Sequence, residues 1–172
     1  MAGLRELGQE YPADDAVKEG LIGKDFYESA DACRYLLWNY EEFLASKAGS
    51  GATYDEQERS AIWKLRASDS IEHIFPQNPA PSSPWSGKMR RGDGLIESVE
   101  KHVGRVGNLV LLPTALNSEA KAKTFDNKKK IYEKHNLRTL REICDRLDWT
   151  LSEIDDREAQ IGSWAKLRWA DI

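Results

Sequence analysis

Ser70-Ile71-Glu72-His73-Ile74-Phe75-Pro76-Gln77 sets an acid and a histidine side by side inside a short apolar run. Burying such groups costs free energy unless each finds a partner. In a strand, successive side chains point to opposite faces, so Glu72 and His73 cannot both decorate the solvent side of a one-sided sheet. Pro76 stops the strand soon after, which leaves His73 near its exit, where side chains reach solvent and substrates.

Downstream, Val106-Gly107-Asn108-Leu109-Val110-Leu111-Leu112-Pro113 reads as a Gly-Asn turn opening onto a compact apolar strand that a proline terminates. Asn117 and Ser118 sit where a helix N-cap belongs, followed by helix-forming Glu119-Ala120-Lys121-Ala122-Lys123. Thr124 caps a second, basic helix from Phe125 to Lys134. The middle of the chain is therefore strand, loop, strand, helix. Between the strands, three prolines at Pro79, Pro81 and Pro84 make a loop, and 94–102 reads as a short helix with Leu95, Val99 and His102 on one side.

Either side of this centre the chain is helical. Apolar residues recur at three- and four-residue steps from Phe26 to Leu44, which predicts a long amphipathic helix over about 24–46, closed by Gly49-Ser50-Gly51. Residues 53–67 fit either a helical turn or a strand. Leu137, Leu140, Ile143, Cys144 and Leu147 form one stripe, and Thr150-Leu151-Ser152-Glu153 is a capping box opening a helix that buries Ile154, Ile161, Trp164, Ala165 and Leu167. Residues 1–60 make a helical lead-in, loosely ordered up to about residue 20, and 61–172 a second unit with the C-terminal helices.

With 172 residues and 40% hydrophobic content, the chain can bury one core, and six Trp, six Tyr and four Phe argue against disorder. No basic, apolar leader and no membrane-length apolar run is present, and Cys33 and Cys144 read as free thiols of a reducing compartment, so a cytoplasmic location is expected. The net charge of −4 gives no global attraction for nucleic acid. Locally, however, Asn117–Lys134 holds six lysines against three acids, a net +3 that offers a phosphate-facing patch.

The polar residues embedded in these strand edges and caps are Glu72, His73, Asn108 and Asn117. Carboxylate and amide oxygens suit a hard, Mg²⁺-like cation that keeps waters and binds substrate phosphate. A histidine titrating near neutrality can take a proton from an attacking water. Taken singly, each residue has a plainer explanation: His73 as a satisfied strand histidine, Asn117 as a local cap, the lysines as a solvated helix face.

Taken together, Ile71-Glu72-His73-Ile74-Phe75-Pro76-Gln77, Val106–Leu112 and Leu116-Asn117 resemble the HNH or His-Me finger (ββα-metal) nuclease pattern. With Phe125-Asp126-Asn127-Lys128, Tyr132, Trp149, Ile154, Arg157 and Trp169, the chain is more narrowly similar to the C-terminal nuclease domain of GmrSD-type, type IV restriction endonucleases. The resemblance implies a mainly α fold with a small two-stranded antiparallel β element, the finger being embedded in a helical domain. It implies a DNA endonuclease or nicking activity with a divalent metal, Mg²⁺ or Mn²⁺ in its place, in restriction of phage or modified DNA. His73 would be the general base, Glu72 and Asn117 the metal ligands, and Asn108 the brace of the loop that orients His73. Lys128 would contact phosphate, with Lys121, Lys123, Arg90 and Arg91 as further nucleic-acid contacts. A nucleotide-hydrolysing N-terminal domain or subunit, not found in this chain, would be the partner. The competing expectation is a catalytically inactive nucleic-acid-binding or interaction module that keeps the finger's shape.

Overall fold

The computed structural model describes residues 20–47, 56–64, 66–85, 87–88, 90–91, 94–95 and 99–169. Helices dominate, and at the centre lies a two-stranded antiparallel sheet. Its strands are β1 (Ile71–His73) and β4 (Leu109–Leu111), in the register Ile71↔Leu111, Glu72↔Val110 and His73↔Leu109. Bonds from Ile74 N to Asn108 O and from Leu112 N to Ser70 O continue the ladder at both ends. All six strand residues are buried, so the sheet is a rod inside the protein with no wet face. A second ribbon, β2 (Arg90–Arg91) with β3 (Gly94–Leu95), was not foreseen from the sequence.

Helices pack around the sheet. A 3₁₀ turn at Tyr27–Ser29 leads into α1 (Ala30–Lys47), which buries Cys33, Leu36, Leu37 and Tyr40. Next comes α2 (Glu56–Trp63), which settles the helix-or-strand alternative for that region as helix, and a 3₁₀ turn at Ala67–Ser70 feeds β1. Between β3 and β4 lies the one-turn α3 (Glu100–Val103). After β4 follow α4 (Thr114–Ala120), α5 (Phe125–Tyr132), α6 (Arg138–Cys144) and α7 (Leu151–Arg168). A single hydrophobic cluster runs from Leu21 and α1 through β1 and β4 to Ala165 of α7.

Local signals set the later helix starts. Thr124 Oγ1 accepts from Asn127 N at 3.4 Å, and Thr150 with Glu153 forms the capping box of α7. Other expectations are corrected. Gly94–Leu95 is strand rather than helix, and the helix there is only Glu100–Val103; the helix-ending Gly49–Gly51 lies outside the described residues. Leu147 and Leu167 are 96% and 79% exposed. Leu147 falls beyond the end of α6, where the helical period no longer applies, and Leu167 lies in the last turn of α7, past the core.

α7 crosses the turn that precedes β4 at very short range. A Cβ on Gly107 would collide with the carbonyl oxygen of Ile154 and press on Glu158, so only glycine permits this approach. Arg157 then fastens the turn. Fully buried, its Nη1 donates to Val106 O, Gly107 O and Leu109 O at 3.2, 3.0 and 2.7 Å. Beside it, Arg105 pairs with Glu158 and, at 2.7 Å, with Asp155. The turn carrying Asn108 is thereby held rigid.

Candidate active site

His73 ends β1, and its ring meets Tyr27 edge-on, centroids 4.5 Å apart at 70°. Tyr27 is brought there by backbone bonds from Phe26 N and Tyr27 N to Gly104 O. His73 Nε2 is buried and has no hydrogen-bond partner among the described residues. Burial, with the Lys128 ammonium adding to it, pushes the imidazole pKa down to about 4. At neutral pH the ring is a free base.

Glu72 faces α5 and is answered from there. Lys128 Nζ sits 2.6 Å from Glu72 Oε1 and 2.6 Å from the His73 carbonyl oxygen, and Tyr132 Oη donates to the same Oε1 at 3.2 Å. Burial holds the Glu72 carboxyl above its ordinary pKa, against the pull of Lys128 and Tyr132. The expectation that Lys128 contacts phosphate is therefore corrected: its side chain is wholly buried against Glu72. Phe125, Lys128, Ile131 and Tyr132 share the inward face of α5 at helical spacing, and the carboxylate beneath makes a lysine tolerable there.

Asn108 is fully buried and spends its whole amide on the chain. Its Oδ1 accepts from Phe75 N (2.7 Å) and Trp149 Nε1 (3.1 Å), and its Nδ2 donates to Phe75 O (2.9 Å) and Val103 O (2.8 Å). It touches the loop leaving His73 and not the cavity described next.

That cavity, of about 350 Å³, is lined by Tyr27, Glu72, His73, Gln77, Asn117 and Lys121 among others. Asn117 is not an N-cap. Proline's locked φ starts α4 directly after Pro113, which caps it four residues before the expected cap at Asn117, so Asn117 lies within the helix. Its Nδ2 donates to Asp69 O and Ile71 O, both at 3.0 Å, which ties α4 to the entrance of β1. Two carbonyl acceptors require the nitrogen on that side and leave Oδ1 on the other.

Among the described residues no three His, Cys, Asp or Glu side chains gather into a preformed metal cage. What the cavity offers is sparser. Asn117 Oδ1 carries no hydrogen bond to a described residue, the Glu72 carboxylate lines the same cavity, and His73 lies beside them. Two hard oxygens with space for waters and a phosphate match the habits of Mg²⁺, which is held by few protein ligands. The donor set therefore fits such an ion.

The predicted nucleic-acid contacts divide. Lys121 lines the cavity, and Lys123 is exposed and 3.4 Å from Glu119. Arg90 and Arg91 lie in a strand rather than a loop, and their side chains are outside the described residues. Lys121 also has a backbone anomaly, φ 25° and ψ −115°, among the described residues the only positive φ outside glycine. It follows α4 as the first inner residue of a turn closed by Lys123 N to Ala120 O at 2.9 Å, a position at which glycine is at home. Holding lysine there costs about 1–3 kcal/mol.

Three contributors escaped the sequence reading. Tyr27 read as one more apolar position of a helix, and Tyr132 and Trp149 entered only through the family resemblance, with no role at the site. Their hydrogen-bonding or ring partners are 46, 60 and 41 residues away, and no local pattern announces them.

Neither a curated protein nor a solved structure matches the chain. The family model of the GmrSD restriction endonucleases, C-terminal domain, matches residues 11–164, which takes in the whole of this cavity and its supports, and the chain belongs to that family.

Proposed function

We propose that the chain is a metal-dependent DNA endonuclease or nicking domain that hydrolyses phosphodiester bonds in restriction of phage or modified DNA. The observation that carries this is His73: an imidazole whose Nε2 has no hydrogen-bond partner among the described residues, at a strand end, on a cavity shared with Glu72, Asn117 and Lys121. Family membership points the same way. The order β1, β4, α4 fits a ββα-metal finger of the HNH type.

In this reading His73 takes the proton of a water that attacks phosphorus. The P–O3′ bond breaks, and the 3′-oxygen leaves to be protonated from solvent. Glu72 Oε2 and Asn117 Oδ1 would hold Mg²⁺, or Mn²⁺ in its place, and the chemistry that ion supplies is charge stabilisation on the phosphoryl and leaving oxygens. Asn108 holds the loop after His73 and Lys128 holds Glu72, so the base and the carboxylate keep one geometry. Lys121 and Lys123 contact the DNA backbone. No helix among the described residues is long and apolar enough to cross a membrane. A nucleotide-hydrolysing domain or subunit as partner, and a cytoplasmic setting, complete the proposal.

Supercoiled plasmid incubated with the protein and Mg²⁺ or Mn²⁺ should be nicked, and His73→Ala should abolish it. Equal nicking by both proteins, or none by either across metals, refutes the assignment. One observation favours the second reading, a non-catalytic DNA-binding module: Lys128 already neutralises Glu72. That reading requires salt-dependent DNA binding that Glu72→Ala and His73→Ala leave unchanged, with no cleavage.

A further inference from the structure

Of the lysines between Asn117 and Lys134, several are already engaged. Lys128 is buried on Glu72, Lys123 pairs with Glu119, and Lys129 donates to Arg146 O at 3.2 Å. Lys130 and Lys134 are exposed and do not line the His73 cavity. Lys121 differs from all of them. It lines that cavity, its ammonium has no ion pair or hydrogen bond among the described residues, and its backbone occupies a conformation suited to glycine. The one carboxylate among the lining residues, Glu72, is neutralised from behind by Lys128. The cavity is thus left with an uncompensated positive charge, provided by a residue in the local conformation that least favours it.

We propose that Lys121 is the catalytic phosphate-binding group of this cavity, its ammonium meeting a non-bridging oxygen of the phosphodiester that His73 serves. The inference rests on the nuclease reading and deepens it: Lys121 acts at the reacting phosphate, and the other exposed lysines act along the DNA backbone. An ammonium placed there is a point charge that follows the phosphoryl oxygens as their charge grows. The left-handed turn after α4 sets the lysine at the cavity rim, immediately past the helix that carries Asn117.

Two measurements on the intact protein test this. The first is hydrolysis of bis(p-nitrophenyl) phosphate, a substrate too small to reach the outer lysines, with Mg²⁺ or Mn²⁺. Lys121→Gly and Lys121→Ala should lower kcat about 10²-fold, and Lys121→Arg should stay within about tenfold of wild type. Lys121→Gly should melt at the wild-type temperature or above, since glycine adopts this φ freely. The second follows the His73 ring resonances by NMR, assigned with His73→Ala, during titration with inorganic phosphate. The wild-type protein should show a saturable shift that Lys121→Gly loses.

Wild-type kcat in Lys121→Gly, a change in KM alone, equal loss in the Arg and Gly variants, or a phosphate shift that survives in Lys121→Gly or is absent from wild type, each overturns the proposal. Loss of the phosphate shift in Lys121→Gly from a wild-type protein that cleaves nothing would uphold the anion site and sink the nuclease reading. Cleavage that depends on His73 and not on Lys121 would do the reverse.

Discussion

Replacing Lys128 by methionine keeps the apolar stem of the side chain and removes a fully buried ammonium together with two 2.6 Å hydrogen bonds, to Glu72 Oε1 and His73 O. Glu72, 3% exposed, is left with the Tyr132 hydroxyl and the His73 backbone N–H and no countercharge. Removing one partner of a buried pair costs about 3–5 kcal/mol, because the remaining charge stays desolvated. For a chain of this size each kcal/mol moves Tm by about 2–4 °C, so Lys128→Met should melt about 6–20 °C below wild type. Glu72 escapes part of the penalty by holding a proton. Its folded pKa, already raised by burial, rises further once the ammonium is gone. A carboxyl with a raised folded pKa is relatively stabilising below its unfolded value and loses that as pH rises through the folded one. The deficit of Lys128→Met should therefore be larger at pH 8 than at pH 5. Adding Glu72→Gln removes the orphaned charge and keeps an oxygen acceptor for Tyr132. The double variant should be more stable than Lys128→Met by about 2 kcal/mol. Urea unfolding followed by tryptophan fluorescence at both pH values measures all of this. A loss under about 1 kcal/mol in Lys128→Met, or a double variant no better than the single one, would refute the claim that Lys128 is there for Glu72.

Three further outcomes are expected. His73, with its folded pKa pushed down to about 4 from 6.5, makes the fold lose stability as pH falls from 6.5 toward 4, by up to about 3 kcal/mol; His73→Asn should flatten that part of the stability–pH curve measured by denaturant titration. Asn108→Asp exchanges two donors for acceptors facing Phe75 O and Val103 O, and should cost about 2 kcal/mol or more by thermal unfolding. In the plasmid assay the same variant should lower nicking, since the loop after His73 loses its tie. Gly107→Ala drives a methyl into Ile154 O, and a Tm within 2 °C of wild type would contradict the close approach of α7 to the turn before β4.

Much of this was legible in the chain because it is written locally. Proline and glycine punctuation bounded the two strands, and the Thr150–Glu153 box and Thr124 marked two helix starts. The juxtaposition of Glu72 and His73 marked the site, since the order of residues alone sets which side chains alternate across a strand. Misreadings arose where a residue's partner is distant. Asn117 looked like a cap because an asparagine before helix formers usually is one; its amide instead bonds carbonyls 46 and 48 residues earlier. Lys128 looked solvated within a basic run, and only the packing of α5 over β1 turns it inward to Glu72. Leu147 looked buried because a period was extended past the end of its helix. Sequence thus determined the elements and the chemical types available to the site. Tertiary structure decided which of those groups are occupied and which are open to a ligand, because hydrogen-bond satisfaction and burial belong to pairs of residues that only the fold brings into contact.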